Sequence, residues 1–211
     1  MKSINILAVL SLLSVVACGG GGGSGGGGNQ NERTTPMVEA TPGTYYAVLR
    51  PVNFHSNGFI PYGQATFTLQ NGMLQVSTAM DDDQPVSHRQ SLHMGSRCPT
   101  AADDANGDSF IDYNEAIAVV GSVQMPLDGD LNSKAAGADI YPRGIGMTYS
   151  QTASLANIKA DLGAGIGLER KVVLVHGTSA NSSFPTSIAS FQAEASHISL
   201  PVVCGVLKKV E

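Results

Sequence analysis

Between Gln64 and Ser77 the chain carries the pattern that most restricts its fold. Gln64-Ala65-Thr66-Phe67-Thr68-Leu69 alternates strictly, which puts Ala65, Phe67 and Leu69 on one face of an extended segment. Asn71-Gly72 follows, a dipeptide suited to a two-residue turn of the primed type, and Leu74-Gln75-Val76-Ser77 resumes the alternation. Thr44–Arg50 is equally β-rich and starts after Thr41-Pro42-Gly43, a turn signal. Further strands are predicted at Ser91–Met94, Gly121–Met125, Gly146–Ala153, Lys171–His176 and Ile198–Lys208, separated by Gly-, Ser-, Asp- and Pro-rich stretches. Only Ala116–Val120 and Thr152–Leu162 read as helix, both short. This pattern predicts an all-β sandwich or barrel with long loops.

The N-terminus reads as an address. Lys2 precedes an apolar run from Ile4 to Val16, the length of a signal peptide and short of the roughly 20 residues a membrane span needs. The run ends in Val15-Val16-Ala17-Cys18, which resembles the lipobox of bacterial lipoproteins. The resemblance implies cleavage after Ala17 and lipidation of Cys18, with several acyl chains anchoring more firmly than one. Gly19–Gly28 is nine glycines and Ser24, followed by polar residues, a tether of roughly 20 Å root-mean-square span. The expected organisation is therefore a signal peptide at 1–17, a lipidated cysteine and tether at 18–40, and a β-domain at 41–211. Gly19 in place of an aspartate favours the outer membrane where an envelope has two.

Charge narrows the partners. Twelve Lys+Arg against 17 Asp+Glu give a net charge of −5, with no basic run beyond Lys208-Lys209. Nucleic acid and anionic lipid surfaces are thereby disfavoured as partners. The membrane is expected only through the lipid at Cys18, and no protein or envelope partner is specified by sequence.

A second constellation is spread along the domain. His88-Arg89-Gln90-Ser91-Leu92-His93-Met94-Gly95 precedes Cys98, Val172–Val175 lead into His176-Gly177, and the chain nears its end with Cys204-Gly205-Val206-Leu207. This order resembles the copper/zinc superoxide dismutase family. The resemblance covers most of residues 44–210 and implies a Greek-key β-sandwich or barrel with a Cys98–Cys204 disulfide. Cys18 being lipidated, it also accounts for the odd count of three cysteines in an export compartment. The family's chemistry is less well kept. The positions equivalent to its closely spaced histidines hold His88, Ser91 and His93, and a serine hydroxyl is a poor copper ligand beside imidazole. The stretch Cys98–Asp130 has no histidine, so zinc is not expected there, and Pro201 stands where the resemblance implies an anion-guiding arginine. The candidate copper residues are His93, His176 and His88, and the other reading is a relic whose histidines are structural.

Where the family places its zinc loop, this chain has Asp104-Ala105-Asn106-Gly107-Asp108-Ser109-Phe110-Ile111-Asp112-Tyr113-Asn114-Glu115. That matches the twelve-residue EF-hand loop. Asp104, Asn106 and Asp108 place hard oxygens at positions 1, 3 and 5. Phe110 offers its carbonyl at 7, Asp112 acts at 9, and Glu115 closes the cage at 12. Ile111 at position 8 pins the loop to the core. Position 6 departs from the pattern: Ser109 replaces glycine, and a left-handed backbone there costs roughly 1–2 kcal/mol. With no clear entering helix, the expectation is a structural extracellular calcium site.

Three further motifs carry less. Gly163–Gly167 lacks the lysine and spacing of a phosphate loop, and Gly177–Asn181 is no nucleophile elbow. Asp81-Asp82-Asp83 has the donors to bind a cation weakly, but reads better as a solvated charge run at a hairpin end. Two functions stay open: a non-catalytic, calcium-stabilised envelope lipoprotein, or a copper-binding redox protein with dismutase-type activity.

Overall fold

The computed structural model describes residues 39–55, 57–132, 140–192 and 194–210. The signal peptide, Cys18 and the tether up to residue 38 lie outside the described residues. Ala40 already belongs to the packed domain, its N–H donating to the Ile166 carbonyl at 2.8 Å.

Among the described residues nine strands make one curled, antiparallel sheet, an all-β half-barrel: β1 (Gly43–Pro51), β2 (Tyr62–Gln70), β3 (Met73–Asp81), β4 (Gln90–His93), β5 (Val123–Pro126), β6 (Thr148–Ser154), β7 (Val172–His176), β8 (Pro201–Val206) and β9 (Lys208–Val210). Their spatial order is β5-β4-β7-β8-β1-β2-β3-β6, with β9 beside β1. The chain crosses between the two ends of this order after β3, after β5 and again after β6, a Greek-key path. Helices are few: α1 (Tyr113–Val120), α2 (Leu155–Leu162) and the single turn α3 (Ser196–Ser199).

The hairpin forms as its sequence dictates. Asn71 and Gly72 both take positive φ, 52° and 74°, and Phe67 faces Val76 across the ladder. Ala65, Phe67, Leu69, Leu74 and Val76 point into the main core, whereas Gln75 is exposed. Several predicted boundaries shift by one to three residues, α1 for instance starting at Tyr113 and not Ala116, and two of the shifts have a visible cause. The helix read from Thr152 starts at Leu155, because β6 runs to Ser154 and its Oγ then caps the helix by accepting from the Asn157 N–H. The strand read from Ile198 starts at Pro201, because Leu200 N–H bonds back to Ser196 O and closes a helical turn.

The other end of the sheet is buried on both sides. Val173 and Val175 of β7 join the main core. Val172 and Leu174 face outward into a second apolar cluster with Ile111, Ala116, Val120 and Cys204. The β4–β5 connection, which contains the candidate calcium loop and α1, forms the lid of that cluster. A disulfide between Cys98 and Cys204, 106 residues apart in sequence, fastens it to β8. Gly205 makes room beside this bond, since a Cβ there would lie 2.6 Å from the Val48 carbonyl oxygen.

Candidate metal centres

The Asp104–Glu115 loop is held from within and from without. Asp104 Oδ1 accepts from the Gly107 N–H at 2.7 Å and Oδ2 from the Ser109 N–H at 2.8 Å. Ser109 adopts φ of 72°, the left-handed turn that position 6 requires. Ile111 is 4% exposed and is clamped by Asn53, which donates to its carbonyl at 2.9 Å and accepts from its N–H at 3.0 Å. Asp112 and Glu115 form a capping box on α1: Asp112 Oδ1 accepts from the Glu115 N–H, and Glu115 Oε2 accepts from the Asp112 N–H. Glu115 Oε1 accepts from the N–H of Ala105 at 2.8 Å. The donors are all hard oxygens, which suits calcium, but their lone pairs are presently turned onto loop amides.

The second constellation is only partly assembled. His93 and His176, at the ends of β4 and β7, line one cavity of about 220 Å³ with Arg89, Tyr113, Tyr141 and Phe191. His93 Nδ1 faces the Gly121 carbonyl at 2.9 Å and must donate to it, so Nε2 accepts from the Ser91 hydroxyl at 2.8 Å. Both ring nitrogens are therefore used. His176 Nδ1 donates to Ser199 O at 2.7 Å, and burial pushes its pKa down to about 3. Arg89 gives the cavity a cation, but it pairs with Glu194 at 2.9 Å and lies over the Phe191 ring. The residues thus fit copper poorly as they are folded: one imidazole lone pair is free to ligate, and Ser91 occupies the other.

His88, the third candidate, does not join them. It lies in the β3–β4 connection, fully buried, and its Nδ1 approaches the His176 carbonyl at 3.3 Å. A carbonyl only accepts, so this nitrogen carries the proton. Burial holds the His88 pKa below its ordinary value, so the ring is neutral and Nε2 presents a lone pair. That lone pair faces Asp82 Oδ2 at 3.7 Å. Gly177 makes room for the ring's backbone, as a Cβ there would come 2.5 Å from Ser87 O.

Asp82 corrects the reading of Asp81–Asp83 as a solvated run. Asp81 is exposed, but Asp82 is 1% exposed, directed inward where β3 ends. His55, from the β1–β2 connection, meets it with Nε2 3.1 Å from Asp82 Oδ1. Among the described residues, His55, Asp82 and Asp83 are the only three such groups whose ligand atoms lie within 4.8 Å of one another. Sequence reasoning missed this cluster because His55 comes from the β1–β2 connection and the two acids from the β3–β4 connection. The one available signal was an aspartate run directly after an alternating strand, where the strand's own periodicity turns one acid inward.

No protein-family model matches the chain, and no curated protein matches it. Among the described residues no helix is long and apolar enough to cross a membrane.

Proposed function

We propose that this protein is an envelope-anchored lipoprotein whose superoxide-dismutase-like β-domain is made rigid by calcium and serves a binding or structural role without catalysis. The observation that carries this reading is the Asp104–Glu115 loop, with its left-handed Ser109 and its Asn53-clamped Ile111. Asp104, Asn106, Asp108, the Phe110 carbonyl, Asp112 and Glu115 would hold the ion, whose two positive charges would offset half the charge of the four neighbouring carboxylates. Glu115 would exchange its amide hydrogen bonds for ligation. Anchoring at the envelope rests on Val15-Val16-Ala17-Cys18 and the glycine tether behind it.

Calcium at 10–100 times its dissociation constant stabilises by about 1.4–2.7 kcal/mol. Chelation with EDTA should accordingly lower the melting temperature of the purified chain by about 3–10 °C. Asp104→Ala should abolish the response. A melting temperature indifferent to millimolar calcium would rule the loop out as a structural site. Cys18→Ser should release the protein from the membrane fraction.

The copper reading is favoured by one observation, that His93 and His176 line the same cavity. Ser91→Ala frees the His93 lone pair and should raise copper affinity if that reading holds. No tight copper binding in either form would remove it.

A further inference from the structure

We propose that His55, Asp82 and Asp83 hold a divalent transition-metal ion of the zinc type, at a site separate from both the calcium loop and the His93–His176 cavity. Each of the three offers a ligand atom, and those atoms lie within 4.8 Å of one another. They meet where β3 ends, the two acids following its last residue and His55 arriving from the β1–β2 connection. The cluster is not a surface acidic patch: Asp82 is 1% and His55 5% exposed, and Asp83 is half-buried. His55 Nε2 lies 3.1 Å from Asp82 Oδ1, yet it has no hydrogen-bond partner among the described residues. Leaving a buried polar atom so is unfavourable, and a cation beside Asp82 Oδ1 supplies the missing partner.

The His55 ring is set for ligation. Thr178 Oγ1 lies 2.7 Å from its Nδ1. With the Nδ1 proton donated to that hydroxyl, Nε2 turns a lone pair to the carboxylate, and lone pairs facing each other across 3.1 Å call for a cation between them. Ligand atoms held tetrahedrally at about 2.0–2.1 Å stand about 3.3 Å apart, close to that separation. The acids are oriented as ligating carboxylates are. Asp82 Oδ1 accepts from the Gln84 N–H at 2.7 Å, and the two oxygens of Asp83 accept from Asn57 Nδ2 and Gln84 Nε2. Each of these oxygens keeps a further lone pair for an ion. His88 is not a ligand, since its Nε2 faces the other carboxylate oxygen, Asp82 Oδ2, at 3.7 Å. One imidazole with two carboxylates favours a borderline ion such as zinc over calcium or magnesium, which take oxygen sets, and the two carboxylates balance the charge of a dication. His55 also lines a cavity of about 550 Å³ with Phe54 and Phe184, a route for the ion and for a water in the fourth position. None of the three residues lines the His93–His176 cavity.

Co²⁺ serves as the optical probe, added to the metal-stripped full chain in detergent with saturating calcium. The expected result is one equivalent bound, with the visible bands of four-coordinate cobalt, displaced by Zn²⁺ and not by further calcium. His55→Gln should weaken binding at least about 100-fold and Asp83→Asn at least about 10-fold. Thr178→Val, which keeps the side-chain shape and removes only the hydroxyl holding His55, should weaken it about 10–100-fold. His93→Gln should leave the spectrum unchanged, which separates this site from the copper reading. Failure of the wild type to bind Co²⁺ or Zn²⁺ at micromolar concentration would overturn the proposal. So would displacement of cobalt by calcium, or a spectrum that survives His55→Gln or Asp83→Asn or disappears with His93→Gln. Cobalt held by the Asp104–Glu115 loop would survive both of the first two changes and is distinguished in this way. If His55→Gln does not fold, the wild-type spectrum, Asp83→Asn and Thr178→Val still decide.

Discussion

The two ends of the sheet are built from similar strands and put to different use. At one end, β1, β2, β3 and β6 bury one face and leave the other to solvent, as the exposed Gln75 between buried Leu74 and Val76 illustrates. At the other, β4 and β7 are buried on both faces, with the Cys98–Asp112 loop and α1 over a second apolar cluster. Every candidate metal position lies in or beside the covered end or in the connections leading to it. An open face needs only alternation, whereas a covered one needs a long connection, and long connections can carry oxygen and nitrogen donors.

Breaking the clamp should have the largest effect. Cys98→Ser with Cys204→Ser should cost about 2–5 kcal/mol in chemical denaturation, the chain-entropy limit for a loop this long being about 4–5 kcal/mol. Amide exchange sharpens the point: protection should fall in α1 and β5 while β2 and β3 keep theirs. An equal loss throughout would mean the two ends are not energetically distinct. Next comes the second cluster itself, where Leu174→Ala should cost about 2–5 kcal/mol in the same assay. Gln75→Thr on the open face should change stability by less than about 0.5 kcal/mol.

Acid should act on the covered end through its histidines. Burial holds the pKa values of His93 and His176 below the ordinary 6.5. The unfolded chain therefore takes up protons that the folded one refuses. Stability should be complete above about pH 6.5 and fall as the pH drops toward about 3, where the folded His176 itself protonates. Urea midpoints measured against pH should show that fall, and His176→Asn should flatten it. A wild-type midpoint constant from pH 7 to pH 5 would contradict the assignment. A modest effect belongs to the helix cap: in the absence of calcium, Asp112→Ala should cost about 0.5–2 kcal/mol and increase exchange in the first turn of α1.

Legibility in the sequence follows the same division. The open end was readable because alternation is local: Phe67 and Val76 declare their face by parity, and Asn71-Gly72 declares the turn. The Asp104–Glu115 loop was readable as one unit because its oxygen donors sit within twelve consecutive residues. The disulfide came from a resemblance and is present in the fold. The approach of His55 and of His88 to Asp82 was not readable, since neither histidine adjoins the acid in sequence and each alone looks like an ordinary loop residue. His88 was grouped with His93 by proximity along the chain, yet its ring turns toward Asp82.

By itself, then, the sequence determined the all-β class, the hairpin register and the twelve-residue loop, because each rests on periodicity or spacing between near neighbours. Only the tertiary structure decided which acids and histidines meet. It brought Asp82 inward at the end of β3, set Ser91 on the lone pair of His93, and carried His55 across from another connection. Those outcomes depend on how the Greek-key path stacks distant segments and on which buried polar groups find partners, and neither is encoded in any local stretch of the chain.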